Sequence, residues 1–151
     1  MTAMSDLPAV KVVEACSPSV IPDHVLNSPE PLLLKGLVED WPAVEKCSPS
    51  LVGAARYLSR FWRNEPVNVY VSDDNKGRFF YNDDFTGFNF RAGKAFMKQV
   101  MQKLSENPGN EGEAIYVGST NVDKWFPGFR KENDLTLPSD GLVSIWIGNK
   151  T

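Results

Sequence analysis

Gly141-Leu-Val-Ser-Ile-Trp-Ile-Gly-Asn-Lys-Thr151 is the stretch on which the fold turns. Apolar residues dominate Leu142 to Ile147, β-branched side chains stand beside Trp146, and glycine flanks the run on each side. That composition reads as a buried strand running into a turn. Such a strand normally lies inside a sheet with chain continuing beyond it. The sequence is therefore expected to be either the front part of a larger domain or a domain with an unusual terminal strand.

Working back from that strand, Ala114-Ile-Tyr-Val-Gly118 is another, with Ile115 and Val117 on one face and Tyr116 on the other. Val67-Asn-Val-Tyr-Val71 alternates in the same way, with its valines on one face. Ser72-Asp-Asp-Asn-Lys-Gly77 reads as a turn, and Arg78-Phe-Phe-Tyr81 as a short returning strand. Ser48 to Phe61 predicts a helix, with Leu51, Ala54, Ala55, Leu58 and Phe61 at helical spacing and serine near the cap. Gly93 to Leu104 predicts a second, with a stripe of Phe96, Val100, Met101 and Leu104. Pro31-Leu-Leu-Leu-Lys-Gly36 is a plausible strand, and Trp41 before Pro42 is biased away from helix. A helical turn within Val122 to Phe129 is stopped by Pro127-Gly128.

This order implies an α+β fold with a mostly antiparallel sheet and two covering helices. Residues 1–30 read as an extended segment and 31–151 as the domain. The expected core is Leu33, Leu34, Leu51, Leu58, Val69, Val71, Phe96, Val100, Ile115, Val117, Ile145 and Ile147.

Composition narrows the function classes. The 151 residues suit one domain with a real core. A net charge of −3 argues against nucleic-acid binding, which needs a basic surface. No apolar run nears the roughly 18 residues of a membrane span, and Met1-Thr-Ala-Met-Ser-Asp lacks the features of a secretory signal. Cys16 and Cys47 are too few and too far apart for a disulfide scaffold or a zinc site, and fit reduced thiols in a cytoplasmic protein.

Chemistry-bearing residues are sparse. His24 is the single histidine and has no Cys or His neighbour, which speaks against a metal role. Asp73-Asp74 and Asp83-Asp84 are adjacent pairs whose members point to opposite faces of an extended backbone, so neither pair chelates by itself. Asp-Asp-Asn-Lys-Gly is turn chemistry, without the glutamate that a calcium loop requires. No phosphate loop, nucleophile elbow or Cys/His couple is present. Aromatic residues recur through the chain, either as core or as the wall of a ligand pocket. Tyr116 is the best individual candidate for a pocket wall, because it faces away from the aliphatic side of its strand.

Several motifs together carry a resemblance. Pro31-Leu-Leu-Leu-Lys-Gly-Leu-Val-Glu-Asp-Trp-Pro42, Tyr116-Val-Gly-Ser, Pro127-Gly-Phe and Ser144-Ile-Trp-Ile-Gly-Asn-Lys-Thr151 follow the order of the cupin-like JmjC family. The likeness covers residues 30 to 151. It implies the N-terminal part of a double-stranded β-helix, or cupin jelly roll, of the Fe(II)- and 2-oxoglutarate-dependent oxygenase type. The asparaginyl hydroxylase of hypoxia-inducible factor is one relative of that type.

The resemblance also implies a site. Tyr116 matches a strand tyrosine that hydrogen-bonds 2-oxoglutarate, and Thr151 matches a threonine touching the same co-substrate. The family's His-x-Asp pair and later His, which hold iron, are expected beyond Thr151. Iron and 2-oxoglutarate are thus expected in the full-length parent and not on this chain alone, which would be inactive. A protein or small molecule would be hydroxylated. The alternatives are a non-catalytic cupin-like binding module and a structural fragment that self-associates, as a homodimer, through exposed sheet edges. No membrane or nucleic-acid partner is expected.

Overall fold

The computed structural model describes residues 8–14, 16–72, 79–106, 113–137 and 141–149. Its centre is a four-stranded antiparallel sheet built from β3 (Pro66–Ser72), β4 (Arg91–Phe96), β5 (Ala114–Asn121) and β6 (Ser144–Gly148), in the order β4-β3-β5-β6. Before it come β1 (Lys11–Val13), α1 (Asp23–Leu26), β2 (Leu32–Leu34), α2 (Pro42–Cys47) and α3 (Leu51–Leu58). α4 (Met97–Glu106) follows β4, and α5 (Val122–Trp125) with a 3-10 turn (Phe129–Lys131) follows β5. β1 and β2 pair in parallel as a separate two-stranded sheet.

The helices form for local reasons. Ser50 caps α3 by accepting the Gly53 amide at 3.0 Å. α4 places Met97, Val100, Met101 and Leu104 on one buried stripe at i, i+3, i+4 and i+7. Pro42 supplies the first turn of α2, where its missing amide costs nothing. Residue 53 must be glycine, because an added Cβ would lie 2.6 Å from the Lys46 carbonyl oxygen at the α2–α3 corner.

α3 and α4 cover one face of the sheet. Tyr57, Leu58, Met97, Val100, Met101 and Leu104 meet Val67, Val69, Ile115 and Val117 in a single buried cluster. Phe61, Val122 and Phe126 complete it, and Leu51, Val71, Ile145 and Ile147 pack against it half-buried. Each fully buried large side chain contributes about 1.5–3 kcal/mol.

Several expectations need correction. Besides β5, the antiparallel neighbour of β3 is Arg91–Phe96, registered from Pro66 opposite Phe96 to Val71 opposite Arg91. The expected returning strand at 78–81 is not a sheet member over its described residues, where Tyr81 makes one isolated bridge to Phe88. Arg78 and the turn at 73–77 lie outside the described residues. The second helix starts at Met97 rather than Gly93, because residues 93–96 are held in the β3 ladder.

Phe96 therefore ends a strand and is 41% exposed instead of joining the core. Leu33 is 49% exposed, since in the three-residue β2 it points opposite to its half-buried neighbours Leu32 and Leu34. The terminal strand is an edge strand, with Trp146 exposed.

β5 carries a bulge between Val117 and Thr120, and there Ser119 is held at φ +44°. A left-handed conformation costs an L-residue roughly 1–2 kcal/mol, while glycine adds about 0.5–1 kcal/mol of chain entropy. Ser119→Gly is therefore expected to stabilise the domain by about 0.5–1 kcal/mol. A lower denaturant midpoint for the variant would contradict this.

Candidate functional site

The sheet face away from α3 and α4 is aromatic. Strand alternation puts Tyr70 of β3 and Tyr116 of β5 there, and the register sets them directly opposite each other with ring centroids 6.2 Å apart. Phe79 lies 5.4 Å from the Tyr116 ring, and Phe90 lies 5.5 Å from Tyr70 and 5.7 Å from Phe79. Tyr116 and Tyr70 are both half-buried. Among the described residues neither phenol hydroxyl has a hydrogen-bond partner. Tyr116 thus faces away from Ile115 and Val117, as its phase in the strand predicts.

Two glycines let the Tyr116 ring lie down along the sheet. A Cβ at Gly118 would stand 2.7 Å from Tyr116 Cε1. A Cβ at Gly148, opposite Tyr116 in the register, would stand 2.9 Å from the Ile115 carbonyl oxygen and 3.6 Å from Tyr116 Cδ2. Asn149 then ties the end of β6 to β5. Its Oδ1 accepts the Ile115 amide at 2.9 Å and its Nδ2 donates to the Glu113 carbonyl at 3.0 Å. The side chain thereby replaces backbone where the ladder ends. Tyr70, Gly118 and Asn149 are the members that sequence reading missed. Their signals were the Tyr-Val alternation of β3, the glycine two residues after Tyr116, and the Gly-Asn pair after Ile147. Thr151, the second predicted co-substrate residue, lies outside the described residues.

Among the described residues no group of three His, Cys, Asp or Glu side chains could hold an ion. His24 sits in the four-residue α1. Asp84 is occupied locally, accepting from the Thr86 amide at 3.1 Å and hydroxyl at 2.7 Å. Those bonds hold its carboxyl below the usual carboxylate range.

A second polar cluster has an architectural task. Asn133, 3% exposed, accepts the Ala43 amide at 2.8 Å and donates to the Tyr57 hydroxyl at 2.8 Å and the Phe129 carbonyl at 3.0 Å. Tyr57 donates in turn to Glu132, which pairs with Arg60 at 2.7 Å. Burial chiefly pushes the Tyr57 phenol up, and it pushes the Cys47 thiol up as well. A cavity of about 540 Å³ lies between Trp41, Val122, Phe129 and residues 134–137 and 141–145, away from Tyr116. Arg130 on its wall is paired with Asp123 and Asp134.

An antiparallel sheet packed under helices on one face and open and aromatic on the other is one layer of a jelly-roll architecture. The chain belongs to the cupin-like domain family, whose sequence profile matches residues 18–151. A search of the curated proteins found no match. No described helix is long and apolar enough to cross a membrane.

Proposed function

We propose that this domain forms part of an Fe(II)- and 2-oxoglutarate-dependent oxygenase that hydroxylates a protein or a small molecule. In this reading the Tyr70–Tyr116 face is the floor of the co-substrate pocket. The observation that carries it is Tyr116: half-buried, its ring flanked by Gly118 and Gly148, and its hydroxyl without a hydrogen-bond partner among the described residues. A phenol so placed can donate to a carboxylate oxygen of 2-oxoglutarate. Thr151, two residues past the Asn149 clamp, would contribute a second hydroxyl.

The described residues do not fit iron. In this reading its ligands would be the His-x-Asp pair and later His that the family resemblance implies, outside the described residues. What this part of the chain does is bind, orient and shield. The aromatic rings exclude water from one side of the co-substrate, and the hydroxyl fixes its carboxylate.

The test is 2-oxoglutarate decarboxylation by the gene product that carries this domain, supplied with iron. Tyr116→Phe is expected to raise the KM for 2-oxoglutarate about tenfold, the equivalent of one charge-assisted hydrogen bond of about 1.5 kcal/mol, with unchanged circular dichroism. An unaltered KM would remove Tyr116 from the site. Absence of any decarboxylation would remove the oxygenase reading.

A further inference from the structure

The loop between the aromatic face and β4 shows a surface that the co-substrate pocket does not use. Phe80, Tyr81, Phe85 and Phe88 are 52%, 49%, 72% and 60% exposed within nine residues of chain. Water-facing rings in that number mark a contact surface. Their contacts run in sequence: Phe85 to Tyr81 at 6.2 Å, Tyr81 stacked on Phe88 at 5.3 Å, and Phe88 stacked on Phe90 at 4.9 Å.

The loop is pre-set. Asn82 donates its amide to the Gly87 carbonyl at 3.0 Å, and Gly87 returns its amide to Asn82 Oδ1 at 3.0 Å. Phe85 sits at φ +59°, a conformation rare for a bulky residue, with its ring outward. Little ordering entropy remains to be lost on binding.

Charge selects the occupant. Asp83 and Asp84 are exposed beside the rings, and residues 79–90 contain no Lys or Arg. Among the described residues neither carboxylate has an ion-pair partner. Ring faces and carboxylates both attract cations. A second copy docking symmetrically would oppose the same carboxylates to themselves, and anionic surfaces would be repelled. Three successive ring contacts, each 4.9–6.2 Å between centroids, exceed the reach of one ammonium group and suit an extended chain that rises about 3.3 Å per residue.

We propose that the Phe80–Phe88 loop docks a lysine- or arginine-bearing extended segment of a partner protein. This docking is independent of the oxygenase reading and requires neither metal nor co-substrate.

The test is amide chemical-shift titration of the full chain with an acetylated nonapeptide of alternating glycine and lysine, and with its glutamate counterpart. Shifts confined to residues 79–90 are expected with the lysine peptide alone, weakening as salt rises from about 50 to about 300 mM. Phe85→Ala should lower affinity about threefold, and Phe85→Ala with Phe88→Ala about tenfold. Asp83→Asn should weaken it as well. Unperturbed shifts elsewhere would confirm that each variant is folded. Equal binding of the glutamate peptide, no response to the lysine peptide, or no loss in the double variant would overturn the proposal. Concentration-dependent shifts at these residues without peptide would overturn it in favour of self-association.

Discussion

Phe126→Ala is expected to destabilise the domain by about 3–5 kcal/mol, a fifth or more of the total stability of a typical small domain. Phe126 is fully buried and is the largest such side chain among the described residues. It follows α5 directly and closes that turn through its amide to the Val122 carbonyl at 2.8 Å. Val122 is itself 1% exposed, and both belong to the cluster that contains Phe61 and Val117. Truncation therefore opens a ring-sized void where the end of β5 meets the helices. That void cannot collapse easily, because the sheet and the Phe129 turn fix its walls. Urea unfolding followed by circular dichroism measures the effect. A loss below about 1 kcal/mol would mean that the site can repack and is not a keystone of the core.

Asn133→Ala should cost about 2–4 kcal/mol, although it removes only a small side chain. The reason is the number of groups it abandons. Asn133 serves the Ala43 amide in the first turn of α2, the Tyr57 hydroxyl and the Phe129 carbonyl at once. Tyr57 is buried and Ala43 and Phe129 are half-buried, so water replaces the lost bonds only in part. The bond to Ala43 links positions 90 residues apart. Its loss should release α2 from the 3-10 turn as well as lower global stability. Amide exchange in α2 would therefore accelerate more than in β3, and uniform acceleration across both would refute this local role.

Much of the fold was legible because strong periodicity survives in short segments. Val67, Val69 and Val71 announce β3, and the Leu51–Leu58 spacing announces α3. The displaced elements are equally informative. Arg91-Ala-Gly-Lys-Ala-Phe96 contains no β-branched residue, yet it is a strand because the exposed edge of β3 supplies a ladder for it. The sequence Phe79-Phe80-Tyr81 has every local mark of a strand and instead builds the ring stack beside the sheet. Ring contacts overrode strand propensity there. At the site, the phase of Tyr116 was readable from its neighbours. Its pairing with Tyr70 and the roles of Gly118 and Asn149 were not, because they depend on register across strands far apart in sequence.

The kink in β5 also resets its parity. Ahead of it the odd-numbered residues Ile115 and Val117 face the helices; past it the even-numbered Thr120 is the buried one. Ser119 is the extra beat that makes this switch. A β5 of the same length without the bulge would keep one uninterrupted count, turning Thr120 outward and driving the polar Asn121 toward the oil. A residue whose side chain faces water thus decides what lies inside.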